Sequence, residues 1–174
     1  MTDMLFRKDA YMREAPATVL SHTPEGGIIL DASIFYPTGG GQPGDSGALM
    51  WDGQALAIAT AIKGDANAIV LVPAEARALP PVGAHVMQAL DWERRFGHMR
   101  VHTALHLLSV VIPFGVTGGS IGANRGRIDF DMADALEDRD AVEAALNSYV
   151  SADLRVVEEW ISQVELDANP GMVK

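Results

Sequence analysis

The sequence predicts an α+β fold in two parts: a small β-barrel-like N-terminal domain over residues 1–90 and an α+β domain over residues 91–174. Three observations carry this prediction. The first ninety residues hold many short apolar runs broken by turn signals. Beyond Asp91 the apolar residues switch to helical spacing. After that switch, helical and strand-like patterns interleave.

In chain order, the candidate strands are Ala17–Leu20, Gly27–Asp31, Gly47–Trp51, Ala55–Ile62, Ala68–Val72 and His85–Asp91. Pro24-Glu-Gly-Gly27, Asp52-Gly53 and Lys63-Gly-Asp-Ala-Asn67 supply turns between them. Ala78-Leu-Pro-Pro-Val-Gly83 reads as a loop before the last strand, and a boundary is expected near Leu90–Asp91. From Arg95 to Ile112, apolar residues at Val101, Ala104, Leu105, Leu108, Val111 and Ile112 predict a helix, ended by Pro113 and Gly115. Arg127-Ile-Asp-Phe-Asp131 alternates as a strand. Asp138 to Val150 predicts a second helix, with an inner face of Val142, Ala145, Leu146, Tyr149 and Val150. Leu154 to Leu166 is expected to form another strand. No internal repeat or low-complexity tract is found.

Bulk properties narrow the function classes. A chain of 174 residues that is 48% hydrophobic can bury a sizeable core. No apolar run is long enough to span a bilayer, and the N-terminus lacks a secretory layout, so no membrane partner is expected. With no cysteine to form disulfides, the chain is expected to be cytoplasmic, and it lacks the commonest soft metal ligand. The net charge of −10 argues against a simple basic nucleic-acid binder. That charge is uneven. Residues 131–174 carry 11 acidic and 3 basic side chains, leaving −2 for residues 1–130. Arg94, Arg95, Arg100, Arg125 and Arg127 reverse the local sign around the first helix, so a phosphate-bearing substrate is compatible with that side.

Arg100-Val-His-Thr-Ala-Leu-His106 places two imidazoles four residues apart, on one face of the predicted helix. That spacing suits two ligands of a single metal ion. It also suits two core-edge histidines satisfied by backbone carbonyls, and spacing alone leaves both readings open. Thr103 stands where zinc proteases of the H-E-x-x-H type need a glutamate, which removes that class. Two imidazoles do not complete a zinc site. His98, four residues before His102, is a conceivable third ligand, while His22 and His85 have no ligand spacing to the pair.

Three motifs resemble those of one family. Arg94-Arg-Phe-Gly-His-Met-Arg-Val-His-Thr-Ala-Leu-His-Leu-Leu108 is similar to the editing-domain signature of alanyl-tRNA synthetases and their free-standing relatives, the AlaX trans-editing proteins. Phe35-Tyr-Pro-Thr-Gly-Gly-Gly-Gln-Pro-Gly-Asp-Ser-Gly47 looks like the glycine-rich motif that precedes that domain. Val116-Thr-Gly-Gly-Ser-Ile-Gly122 followed by Arg127-Ile-Asp-Phe130 resembles the strand pair lining the editing pocket. The three occur in the family's order across most of the chain, and the pattern resembles the medium or longer AlaX type.

The resemblance implies hydrolysis of the ester in mischarged tRNA(Ala), seryl- or glycyl-. A synthetase pocket shaped for alanine excludes the smaller glycine and the near-isosteric serine poorly, so a second site is needed. The resemblance further implies that His102 and His106 bind Zn2+, and that Thr117, Gly118, Gly119 and Arg100 contact the substrate. The Thr117 hydroxyl would pair with that of serine; an ordinary strand residue is the competing reading. The metal would hold a water, orient the ester or polarise its carbonyl. Kinship with synthetases brings ATP binding as a family label. In the motif Gly39, Gly40, Gly41, Gln42, Gly44 and Asp45, two readings compete: a phosphate cradle, and a tight backbone path between the two domains. The motif lacks a P-loop ending, and Asp45 is expected to cap the turn.

In one respect the sequence departs from the family's pattern. A cysteine and a histidine that would complete the metal site are expected beyond Lys174, so the chain reads as shortened, with weak or partial zinc occupancy. Self-association through an exposed sheet edge is a corollary. The alternative function is a catalytically silent RNA- or protein-binding fragment with the same fold.

Overall fold

The computed structural model describes residues 2–136, 138–157 and 159–172. Residue contacts divide the chain into two compact units, one of Met1–Val101 with Ser120–Arg125 and one of His102–Gly119 with Gly126–Lys174.

The first unit begins with β1 (Asp3–Met4) and β2 (Glu14–His22), followed by β3 (Ile28–Leu30) and β4 (Ala32–Ser33). Next come β5 (Gly47–Trp51), β6 (Gln54–Lys63), β7 (Ile69–Pro73) and β8 (His85–Leu90). Six of these close a barrel in the order β2-β3-β7-β6-β5-β8, with β8 returning to β2; β1 and β4 form a short parallel pair of their own. Closure removes the unpaired edges that an open sheet of these strands would expose. All six predicted strands of this region are present, each shifted by at most a few residues.

Alternation explains which side chains enter the barrel. Along β2, Ala15, Ala17 and Val19 point inward, and along β5, Leu49 and Trp51 do. Strand β6 breaks the rule. Leu56 and Ile58 are buried, and the next buried residue is Ala61, three positions on. The register against β7 shifts between Ile58 and Thr60, so a bulge changes the parity and keeps both halves of the strand facing the core. One polar side chain sits among these apolar ones. Gln88 is fully buried; its Oε1 accepts the Ile34 N–H at 3.2 Å and its Nε2 donates to the Ala32 carbonyl at 3.2 Å. Both ends of the amide are therefore satisfied, which is the condition for burying it.

Helix α1 (Trp92–Val111) begins in the first unit, and the division falls within it, after Val101. It starts three residues earlier than predicted because Asp91 accepts the Arg94 N–H at 3.2 Å and opens the first turn.

The second unit holds the rest of α1 and most of a two-stranded sheet, β9 (Val116–Ile121) with β10 (Gly126–Phe130). It also contains α2 (Arg139–Ser151) and α3 (Gln163–Ala168). The Asp138 side chain caps α2 by accepting the Ala141 N–H at 2.8 Å. The predicted inner face of α2 is only its less exposed side. Val142, Ala145, Leu146 and Tyr149 are half-buried, Val150 is exposed, and no residue of the helix is buried.

The expected strand from Leu154 to Leu166 is absent among the described residues, and Glu158 within it lies outside them. Its latter part is helix instead. Ser162 and Glu165 form a reciprocal capping box: the Ser162 oxygen accepts the Glu165 N–H, and the Glu165 carboxylate accepts the Ser162 N–H. The S-x-x-E pattern outweighs the apolar alternation of Leu154, Val156, Trp160 and Val164 because the strand would have needed a neighbour to pair with.

Candidate functional site

In the first unit, the glycine-rich segment is a closed hairpin turn. Gly39 and Gln42 exchange both backbone hydrogen bonds at 3.0 Å, and the two residues between them, Gly40 and Gly41, have φ of +59° and +75°. Positive φ at both central positions is the mark of a type I′ turn, which side chains with a Cβ resist. Around it, the Thr38 N–H donates to the Ala61 carbonyl, the Gly44 N–H to Thr38 Oγ1 and the Asp45 N–H to the Tyr36 carbonyl. A Cβ on Gly44 would stand 2.0 Å from the Ala61 carbonyl oxygen, so only glycine fits there. With the amides of Thr38, Gly39, Gln42, Gly44 and Asp45 so engaged, the segment is a turn fastened to β6, and a phosphate would have to compete for those donors.

Asp45 does cap this segment, accepting the Tyr36 N–H at 2.6 Å. Its main partner is one that sequence reasoning missed. Asp45 and Arg95 form a fully buried ion pair in which Arg95 Nε reaches the two carboxylate oxygens at 3.0 and 2.9 Å, and the terminal Nη2 also bonds Oδ2. The remaining guanidinium donors go to the Ala10 carbonyl at 2.9 Å and the Ile34 carbonyl at 2.6 Å. One side chain on the first turn of α1 thereby holds the glycine-rich turn, the Ala10 segment and Ile34 together. The only sequence signal was an arginine in the first turn of an otherwise amphipathic helix. A pairing across 50 residues leaves no spacing pattern.

One turn further along α1, His98 is 2% exposed, and its Nδ1 has no hydrogen-bond partner among the described residues. Burial holds its pKa below the ordinary 6.5, and the positive charge of Arg94 lowers it further, against the opposing pull of Asp45 and Asp91. Arg100 is exposed, its guanidinium 6.0 Å from the Phe96 ring centroid.

In the second unit, the α1 helix brings His102 and His106 face to face, with ring centroids 4.9 Å apart and planes inclined by 17°. His102 is half-buried and His106 exposed. Burial lowers the His102 pKa, and the neighbouring His106 lowers it further, so the ring stays neutral near pH 7, as a metal ligand must. Two stacked imidazoles suit a borderline metal such as zinc as part of its donor set. Among the described residues, no third histidine, aspartate or glutamate joins them to make a cluster of metal-ligating size, and His98 does not. His22 and His85 are engaged elsewhere: His22 Nε2 lies 3.0 Å from the Pro80 carbonyl, and His85 Nδ1 lies 3.4 Å from Thr18 Oγ1.

Thr117, Gly118 and Gly119 lie on β9, and Thr117 is exposed. Its hydroxyl donates to the Asp129 carbonyl at 3.3 Å, which leaves lone pairs on Oγ1 to accept a hydrogen bond. At Gly119 a Cβ would come within 2.9 Å of the Arg127 carbonyl, so the pair of strands depends on glycine there for its close approach. Among the described residues, no helix is long and apolar enough to cross a membrane.

Comparison with known proteins places the chain in a family. A model of the class II (A) tRNA synthetases matches residues 8–94. An alanyl-tRNA editing protein, AlaX-M, of Pyrococcus horikoshii is 32% identical over 168 residues, covering 92% of this chain and 75% of that protein. AlaX-M of Methanosarcina acetivorans is 33% identical over 141 residues, 76% of this chain and 58% of its own length. The alanine–tRNA ligase of Pyrococcus furiosus is 33% identical over 178 residues, 98% of this chain but 19% of the ligase. This chain thus spans little more than half the length of the Methanosarcina relatives it matches. On its matches to the synthetase model and to AlaX-M, the chain belongs to the alanyl-tRNA editing proteins of the AlaX family.

Proposed function

We propose that this chain provides the metal-binding helix and the amino-acid-sensing strand pair of an esterase that removes the wrong amino acid, serine or glycine, from mischarged tRNA(Ala). The observation that carries the reading is the stacked His102–His106 pair on α1, found in a chain of the AlaX family. The relatives, named as alanyl-tRNA editing proteins, support alanyl-tRNA editing as the general activity. The reaction belongs in the cytoplasm, where charged tRNA is used.

His102 and His106 would hold a zinc ion through neutral ring nitrogens, with further ligands from outside the described residues. When bound, zinc supplies positive charge to orient the ester or polarise its carbonyl. Thr117 acts on the amino acid itself. Its Oγ1 donates to the Asp129 carbonyl and can accept the hydroxyl proton of a seryl group, a contact that alanine cannot offer. Gly118 and Gly119 keep the strand free of side chains beside it. The Asp45–Arg95 pair positions the glycine-rich turn. The open edges of the two-stranded β9–β10 sheet offer a route to self-association.

The test measures zinc content and deacylation of seryl-tRNA(Ala) on one preparation. Zinc is expected to fall below the content of the unsubstituted chain in His102→Ala, with deacylation lost in parallel. Zinc-loaded protein that leaves seryl-tRNA(Ala) intact would overturn the reading. It would favour a second one, a silent RNA- or protein-binding module, which has its own support in the lack of a third metal-type ligand among the described residues.

A further inference from the structure

An exposed aromatic ladder on the first unit has no part in the chemistry above. Trp92, Phe96 and Arg100 follow one another at intervals of four along α1 and so share one helix face. The Trp92 and Phe96 rings stack with centroids 5.7 Å apart and planes inclined by 22°. Tyr11, from the segment before β2, has its ring centroid 5.8 Å from that of Trp92, with the planes inclined by 48°. Arginines flank the rings: the Arg13 guanidinium carbon is 4.4 Å from the Trp92 centroid, and that of Arg100 is 6.0 Å from Phe96. Tyr11 is 61% exposed and Phe96 39%, so these rings are presented to solvent rather than folded into the core.

We propose that this ladder is a stacking platform for unpaired RNA nucleotides, with bases on Tyr11 and Phe96, which lie against the half-buried Trp92, and phosphates on Arg13 and Arg100. It rests on the reading of the chain as an esterase acting on aminoacylated RNA, whose ester is carried on an unpaired RNA end. The chemistry favours a nucleic acid of this kind. Flat rings that hold guanidinium groups against their faces offer π-surface and positive charge to one ligand, which complements the π-face and negative charge of a base joined to a phosphate.

Charge decides what form of RNA fits. The nearby carboxylates are partly committed: Asp91 accepts the Arg94 N–H and the Ser46 hydroxyl, and Asp9 accepts the Tyr11 N–H. Glu14 and Glu93 stay exposed, so the patch is close to neutral within a chain of net charge −10. A duplex, bound mostly through its phosphates, gains little from such a patch. A single strand bound by stacking does.

The probe is an eight-nucleotide single-stranded RNA ending in CCA, compared with a hairpin of the same length. Trp160→Phe provides the background for a fluorescence readout, because Trp160 is fully exposed and Trp51 is buried in the barrel. The single strand should quench Trp92, and Phe96→Ala or Tyr11→Ala should weaken binding on the order of 5- to 100-fold, the range for loss of one stacked base. Phe96→Tyr, which keeps a ring, should restore it. Two phosphate contacts give a slope of log K against log salt of about −1.4, which Arg100→Gln should reduce by about 0.7.

Binding that is indifferent to Phe96→Ala, or equal for the hairpin, overturns the platform. A change of oligomeric state in Phe96→Ala, with RNA binding unaltered, does so as well and assigns the surface to a second copy of the chain. Deacylation is assayed separately on seryl-tRNA(Ala). Phe96-dependent binding without deacylation leaves the platform standing and sinks the esterase reading, whereas normal deacylation with Phe96-independent binding does the reverse.

Discussion

The two units of this chain bury their apolar residues very differently. In the barrel, Ile28, Leu30, Leu49, Leu56 and Leu71 are wholly removed from solvent. In the second unit, α2 has no buried residue, and Val150, Leu154, Val156, Val157, Trp160 and Val164 are exposed. Composition does not explain the contrast, since both regions are rich in aliphatic side chains. Closure does. A six-stranded barrel turns one face of every strand into an interior, whereas a two-stranded sheet and separate helices enclose nothing by themselves. The burial that stabilises the first unit is therefore built from its own strands. The second unit relies on local hydrogen bonds, such as the Asp138 cap and the Ser162–Glu165 box.

The largest expected effect lies in the barrel unit. Arg95→Met leaves the Asp45 carboxylate buried without its counter-charge and should cost about 3–5 kcal/mol in urea denaturation. The double change Asp45→Leu with Arg95→Met should recover a good part of that loss. Equal cost for the single and double variants would show that the pair is not the source of the stability.

Next come the apolar truncations. Leu49→Ala should destabilise the first unit by about 2–5 kcal/mol, and Leu146→Ala on α2, half-buried, by under about 1 kcal/mol. Comparable losses at the two sites would abolish the contrast. Asp138→Ala should lower α2 helicity, seen by amide exchange, at a cost of about 1 kcal/mol and without change in barrel protection.

The smallest effect is one of pH. His98 is buried with its pKa lowered from 6.5, so the unfolded chain binds more protons than the folded one as pH falls below that value. First-unit stability should decline as pH drops from about 6.5 toward the folded pKa, and His98→Gln should flatten that part of the profile. An unchanged slope in the variant would assign the decline to carboxylates instead.

Legibility followed the same division. The barrel strands were readable because alternation and glycine-bearing turns are local signals, and each strand had a partner waiting. The expected strand at Leu154–Leu166 failed because strand formation depends on pairing. Where no strand lies beside the segment, the capping box of Ser162 and Glu165 decides. In the candidate site, the His102–His106 face and the glycine-rich turn were visible as spacing and composition. Arg95 was visible only as one of several positive charges. Its burial against Asp45 depends on two segments meeting, and the aromatic ladder likewise needs Tyr11 beside Trp92.

The sequence by itself determined the element types of the barrel, the register of two histidines on one helix face, and the glycines that a type I′ turn requires. Each of these follows from backbone sterics or side-chain period within a few residues. Tertiary structure alone decided that Asp45 and Arg95 form a buried pair, that β6 bulges to keep Ala61 inside, and that Leu154, Val156, Trp160 and Val164 are exposed. The physical reason is that burial and desolvation depend on what covers a residue. In this chain the covering groups come from segments far away in sequence.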